Sequence, residues 1–206
     1  MGTAPILGRP AGASGEQTRQ RVIAATMRCV AEVGYSRATI REIARAANMT
    51  SGSLYHYFPN KAELVKAAFL ELAETMVPRL GAAAACAGTV PDKFMAVLTE
   101  AERVIADYPY ASAFDRAIRV ESPAHLQLPE HSDAVFSSLR TIVLDIVERA
   151  QREGALGPGV EVRVAADAVY ALFQGLYEQA ATTTREAHHA TMEAAKMLLC
   201  GTLFDY

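Results

Sequence analysis

Three observations predict an all-α protein. Apolar residues recur at three- and four-residue spacings along nearly the whole chain. Ser, Thr, Asn or Pro stands where successive helices would begin, as at Thr39, Thr50, Asn60 and Pro91. No stretch alternates apolar and polar residues between hairpin turn signals. With 206 residues and 51% hydrophobic content, the chain can bury a sizeable core, as one large or two small domains.

Residues 1–14, rich in Gly, Ala and Pro with Arg9 as their one charge, read as a flexible leader. A first helix follows from Gly15 to Val33, with Val22, Ile23, Met27 and Val30 on its inward stripe and Gly34 as its stop. Thr39 caps a second helix and Glu42 completes a capping box, while Ile40, Ile43, Ala44 and Ala47 share one face. That helix stops at Asn48, a residue type that readily enters the left-handed region and so permits a tight reversal over Ala47-Asn48-Met49. Thr50 caps a third helix running to about Tyr57, and Pro59 prevents its continuation. The product is helix, turn, helix.

The outer face of the third helix has an unusual composition. Ser51, Gly52 and Ser53 let a backbone approach another surface closely, and Tyr55, His56 and Tyr57 carry hydrogen-bonding tips on flat rings. Small polar residues opening a second helix suit base edges in a major groove, whereas hydroxyls, Lys and Arg suit phosphate. Thr50, Ser51, Ser53 and Tyr55 are therefore expected at the groove, with Thr39, Arg41, Tyr57 and Lys61 on phosphates and Gly52 and His56 beside them. An Arg in a flexible arm beside such a head can enter an adjacent minor groove, but Arg9 alone is a weak basis for that contact. Leu54 and Phe58 read as core.

The run TIREIARAANMTSGSLYHYFPNKAEL resembles the DNA-binding signature of the tetracycline-repressor (TetR) family, with an aromatic cluster and then the lysine that opens the next helix. The resemblance covers about residues 15–70. It departs at the turn, usually like Gly-Val-Ser and here Asn48-Met49-Thr50. It implies a three-helix DNA-binding domain over 15–60 and a larger helical ligand-binding and dimerisation domain over 61–206. It also implies a homodimeric repressor of a double-stranded operator, relieved by a small-molecule effector.

Asn60 caps a fourth helix through Leu64, Ala68, Leu72 and Met76, long enough to leave the head, and Pro78 is expected to bend or end it. Lys61 in its first turn opposes the helix dipole, a mismatch a nearby phosphate would relieve. Residues 81–90 read as a small-residue connection. Helices are then expected from Pro91 to about Tyr108, from about Pro109 to Val120, around Val135–Val147 up to Gly154, and over 162–181. Between the second and third of these lies an irregular stretch, ESPAHLQLP. A last helix runs from about Glu186 to Phe204. The final two helices are apolar on more than one face and need cover on more than one, which a second copy of the chain would supply. By the resemblance, the effector pocket lies among the helices after the head. Its candidates are Phe94, Met95, Tyr108, Phe114, Arg116, Arg119, Tyr170, Gln174, Tyr177 and Glu178, aromatic walls with polar anchors suited to a largely apolar effector.

Charge divides along the chain. Residues 1–61 hold eight basic and three acidic groups, a net of +5, and the remainder carries −8. A basic head on an acidic body suits a polyanion partner. Cys29, Cys86 and Cys200 lack disulfide or zinc spacing and read as small buried hydrophobes. The neighbouring His188 and His189 point apart on one helix and read as solvated surface, and His125 and His131 have no evident partner. No catalytic motif is present, so no enzyme, metal or cofactor is expected. With neither a signal peptide nor an apolar span, a cytoplasmic protein that does not enter membranes is expected. The alternative class is a helical small-molecule- or protein-binding module without DNA binding. Operator, effector and the direction of the effector's action are not encoded in these patterns.

Overall fold

The computed structural model describes residues 11–86, 88–121 and 129–204, and all of their regular structure is helical. The helices are α1 (Ala11–Val33), α2 (Ile40–Ala46), α3 (Ser51–Tyr55), α4 (Lys61–Cys86), α5 (Val90–Asp107), α6 (Ala111–Glu121), α7 (Pro129–Arg152), α8 (Val162–Ala180) and α9 (Arg185–Leu199). An N-terminal helix-turn-helix head thus precedes a larger helical body. Arg9 and His125 lie outside the described residues. The expected leader loses its last four residues to α1, which starts at Ala11.

Helix ends follow the local chemistry. Thr39 caps α2 with its full capping box, Thr50 caps α3, and the Asn60 side chain accepts from Glu63 N–H at 2.9 Å. Asn48 sits at φ 53, the one non-glycine residue with positive φ among the described residues. Behind it, Asn48 N–H donates to the Arg45 carbonyl (3.1 Å) and Met49 N–H to the Ala44 carbonyl (2.9 Å), so the last carbonyls of α2 are satisfied as in a glycine-ended helix.

Two apolar cores form. The first joins α1, α2 and α3 to the N-terminal half of α4 through Val22, Ile43, Leu54, Leu64 and Phe69, and it also takes in Ala111, Phe114 and Ile118 of α6. The second gathers Leu80 of α4 with Leu98 of α5, Val143 and Ile146 of α7, Phe173 of α8 and Met192 of α9. Helix α4 is therefore a wall of both.

Several expectations are corrected. Pro78 neither ends α4 nor opens a connection, and residues 81–86 are helical. Proline removes the bond to the Glu74 carbonyl, but packing against α5 and α7 and a clamp just after the proline hold the line. There Arg79 pairs with Glu100 at 2.6 Å and with Asp107, the last residue of α5, at 2.7 Å. Helix α9 stops at Leu199 rather than Phe204, because Gly201 turns left-handed (φ 71) and Thr202 N–H reaches back to the Met197 carbonyl at 2.9 Å. Helix α3 gives way at His56 rather than Tyr57. His188 is buried, its Nε2 3.1 Å from the Leu176 carbonyl, whereas Cys200 is exposed and Cys29 half-buried.

Replacing Asn48 with Ala forces an ordinary side chain into the left-handed region and should lower stability by about 1 kcal/mol. Asn48→Gly should hold or raise it. Urea unfolding of the two variants beside the parent checks this, and equal losses in both would show that the Asn side chain, not its backbone freedom, matters.

Candidate nucleic-acid interface and interior cavity

The sequence of α3 divides its side chains between inside and outside. Leu54 is fully buried and Phe58 nearly so, which anchors the segment to the head core, while Tyr55 is 52% and Tyr57 42% exposed. Thr39, Arg41, Thr50, Gly52, Ser53 and His56 are also exposed, and Ser51 and Lys61 are half-buried. These residues come from the N-terminus of α2, the whole of α3 and the start of α4. The face is polar, hydroxyl-rich and without an acidic residue on α3.

Some of these groups already have duties. The Thr39 hydroxyl donates to Glu42 at 2.7 Å and accepts from Glu42 N–H at 3.2 Å. Those bonds hold the Glu42 carboxyl below the usual range, the side-chain bond contributing most. Thr50 Oγ1 accepts from Ser53 N–H and lies 2.9 Å from Ser53 Oγ. Lys61 is placed differently from its expected phosphate contact. Its ammonium donates to the carbonyls of Tyr35 (2.8 Å), Ala38 (3.0 Å) and, at longer range, Ser36 (3.4 Å), and it lies 4.3 Å from the Tyr35 ring centroid. Lys61 therefore pins the α1–α2 connection, and the carbonyls just past the end of α1 relieve its clash with the α4 dipole. Arg21 does the same for the turn, donating from Nε to the Ala47 carbonyl at 2.8 Å.

Where the two cores meet, residues of α4 to α9 line an apolar cavity. Phe69, Leu72 and Met76 of α4 form one wall, and Leu139, Ile142 and Phe173 stand among those facing it. Of the expected pocket residues, Gln174 and Tyr177 line it. The others do not. Phe94 is core beside α7 and α9, Phe114 and Tyr108 pack in the head core, Met95 is half-buried on α5, and Tyr170 accepts from Gln174 Nε2 at 2.9 Å. Arg116 and Arg119 of α6 converge on Glu178 of α8, at 3.0 and 3.2 Å.

Asp115 was missed by the sequence reading. It is the one ionisable carboxylate in the cavity lining and is 2% exposed. Helical spacing carries the signal, since Asp115 stands four residues after Ala111 and three before Ile118, inside an apolar stripe. Oδ2 lies 2.9 Å from Arg119 Nη2, yet neither carboxylate oxygen accepts a hydrogen bond from the described residues. We read this pair as a charge contact whose N–H is not aimed at the oxygen. Burial pushes the Asp115 carboxyl up to about 6, opposed by Arg119 and reinforced by Glu178. Burial also raises Tyr177, with Asp115 adding to the effect.

Known proteins share part of this sequence and this fold. Residues 22–68 match the profile described as "Bacterial regulatory proteins, tetR family". The chain is 23% identical over 164 residues to the fatty acid metabolism regulator protein of Bacillus subtilis, covering 79% of this chain and 81% of that one. It is 42% identical over 60 residues to the HTH-type transcriptional regulator TtgR of Pseudomonas putida, and that match spans only 29% of either chain. The fold resembles that of the transcriptional regulator FadR from Bacillus subtilis in complex with stearoyl-CoA, with a TM-score of 0.68, 19% identity and coverage of 90% of this chain and 99% of the other.

Lys61→Met keeps the aliphatic stem over Tyr35 and removes the donors, and should cost about 1–3 kcal/mol in thermal or urea unfolding. An unchanged midpoint would mean that the carbonyl cage contributes nothing. For Asp115, the folded carboxyl keeps its proton up to about pH 6 while the unfolded one releases it near 3.8, so burial stabilises the fold at low pH and loses that contribution as pH rises through 6. Relative to Asp115→Asn, the parent should gain on the order of 2 kcal/mol between pH 7.5 and 4.5. A pH-independent difference between the two would contradict the buried, ionised carboxylate.

Proposed function

Because this chain belongs to the tetR family of bacterial regulatory proteins, a family of DNA-binding transcriptional regulators, we propose that it is a homodimeric repressor released from its operator by a largely apolar small molecule. The observation that carries the reading is the shared helix α4, whose first turn pins the head through Lys61 and whose middle lines the apolar cavity. A ligand that prefers one placement of α4 shifts the head with it, and linkage requires no more than that preference.

Dimerisation is supported by apolar surface that the single chain leaves uncovered. On α8, Val164 (61% exposed), Ala168, Ala171 and Gly175 recur at helical spacing on the side away from buried Phe173 and Leu176. Met197 and Leu198 of α9 are likewise exposed. A helix apolar on two faces needs two covers, and a second copy makes a four-helix interface from α8 and α9 of both chains. Such a dimer presents two heads to half-sites about one DNA turn apart, ~34–36 Å. In this reading Thr50, Ser51, Ser53 and Tyr55 face base edges with Gly52 and His56 beside them, and Thr39, Arg41 and Tyr57 hold phosphates. Lys61 acts by holding the α1–α2 connection. An apolar effector fits the cavity walls, and one relative of similar fold was solved with stearoyl-CoA.

The test is a titration of the full chain against duplex from its own upstream region at several salt concentrations. Tight, sequence-dependent binding with a steep salt slope is expected. Arg41→Ala should weaken binding alike on every duplex and reduce the slope by about one, whereas Ser53→Ala should change which bases are preferred. Val164→Asp with Leu198→Asp should yield monomers in sedimentation and collapse operator affinity. A salt-insensitive interaction with a protein, mapping to Tyr55 and Tyr57, would instead mark a partner-binding head.

A further inference from the structure

The cavity and the α6–α8 ion cluster meet at Asp115. Apart from Asp115, Gln174 and Tyr177, the cavity lining is apolar. Asp115 is buried, lies against the cavity, and accepts no hydrogen bond through either oxygen from the described residues. The charged groups around it are Arg116 and Arg119 on its own helix and Glu178 facing from α8, with the Tyr177 hydroxyl beside them. Arg119 contacts both Asp115 and Glu178, at 2.9 and 3.2 Å, and its side chain is 41% exposed, so it sits at the cluster's outer side. A buried carboxylate with unmet acceptor capacity beside an apolar space is costly unless something supplies donors.

Resting on the reading that this cavity is the effector site, we infer that Asp115 is its recognition group and that the effector is an apolar molecule ending in a cationic amine. The amine donates N–H to the unmet Asp115 oxygens, and the apolar body lies along Phe69, Leu72 and Met76. Charge-assisted bonds of this type are about twice as strong as neutral ones, so an amine outranks a hydroxyl at this position. A carboxylate would set two anions side by side in an apolar space and ranks last. When the amine takes Asp115, Arg119 shifts toward Glu178, which already holds Arg116, and the α6–α8 contact tightens. Because Phe114 and Ile118 of the same helix are in the head core, the change reaches the head through α6 as well as α4.

Three probes of equal chain length test this on the full chain at pH 7.5: decylamine and decanoate below their micelle concentrations, and 1-decanol below its solubility limit. Binding is read by calorimetry and by the rise in Tm. Decylamine should bind about tenfold or more tighter than 1-decanol, with decanoate weakest. Asp115→Asn should abolish the preference for the amine and leave 1-decanol within about threefold of the parent. Equal binding of all three by the parent, tightest binding of decanoate, or an amine preference that survives Asp115→Asn would each overturn the inference while leaving the cavity an effector site. Failure of all three to bind the parent would overturn the cavity reading itself. Should Asp115→Asn not fold, the parent's order of affinities and Asp115→Glu, which keeps the carboxylate and should keep the amine preference, still decide it.

Discussion

Helix α4 is the constraint on which the rest depends, because one hydrogen-bonded backbone serves two cores. Leu64, Val65, Ala68 and Phe69 are committed to the head, and Leu80, three turns on, to the body. Between them Leu72 and Met76 face the cavity. A helix is stiff along its axis, so what lies against its middle and what hangs from its first turn are not independent. The cavity sits where the two cores fail to merge. Pro78 falls between the lining residues Val77 and Leu80, and the Arg79 clamp ties α4 to α5 at the point where a main-chain bond is missing.

Helix α6 is the second shared element, and its placement decides how the cavity is polarised. Phe114 and Asp115 are neighbours in sequence, yet the first is fully buried in the head core and the second borders the cavity. The rotation of about 100° per residue in an α-helix is enough to separate them. Late in the chain, α6 thereby packs on α1, so the head is not built from its first sixty residues alone.

Local rules made the head legible in the sequence. Thr39, Thr50 and Asn60 cap because their side chains reach N–H groups three residues on, and Asn48 turns because its short polar side chain tolerates positive φ. These are interactions within a few residues, and the sequence carries both partners side by side. What was illegible depends on distant partners. Lys61 was read as a phosphate contact because its carbonyl acceptors lie 23 to 26 residues earlier. Pro78 was read as a stop because the clamp from Arg79 to Asp107 spans 28 positions. The cavity lining differs from the expected pocket for a related reason: aromatic residues such as Phe94 and Phe114 fill cores as readily as they line cavities, and periodicity does not tell the two apart. Asp115 was the exception, a charge inside an apolar stripe that spacing alone marks as anomalous.

The way the head satisfies its cations has an electrostatic result of its own. Arg21, Arg37 and Lys61 are bonded to main-chain carbonyls, which carry dipoles but no net charge. Arg21 and Arg37 therefore shape the fold through neutral acceptors and keep their unit charge in the potential that surrounds the head. Arg19, bridged to Glu71 at 2.6 Å, is cancelled at a distance. Had the same ties been made to carboxylates, the head would be as well fastened but would pull less on a distant polyanion. Its reach outward, set by ionic strength to roughly 8–10 Å beyond contact in ordinary salt, follows from that choice of neutral acceptors.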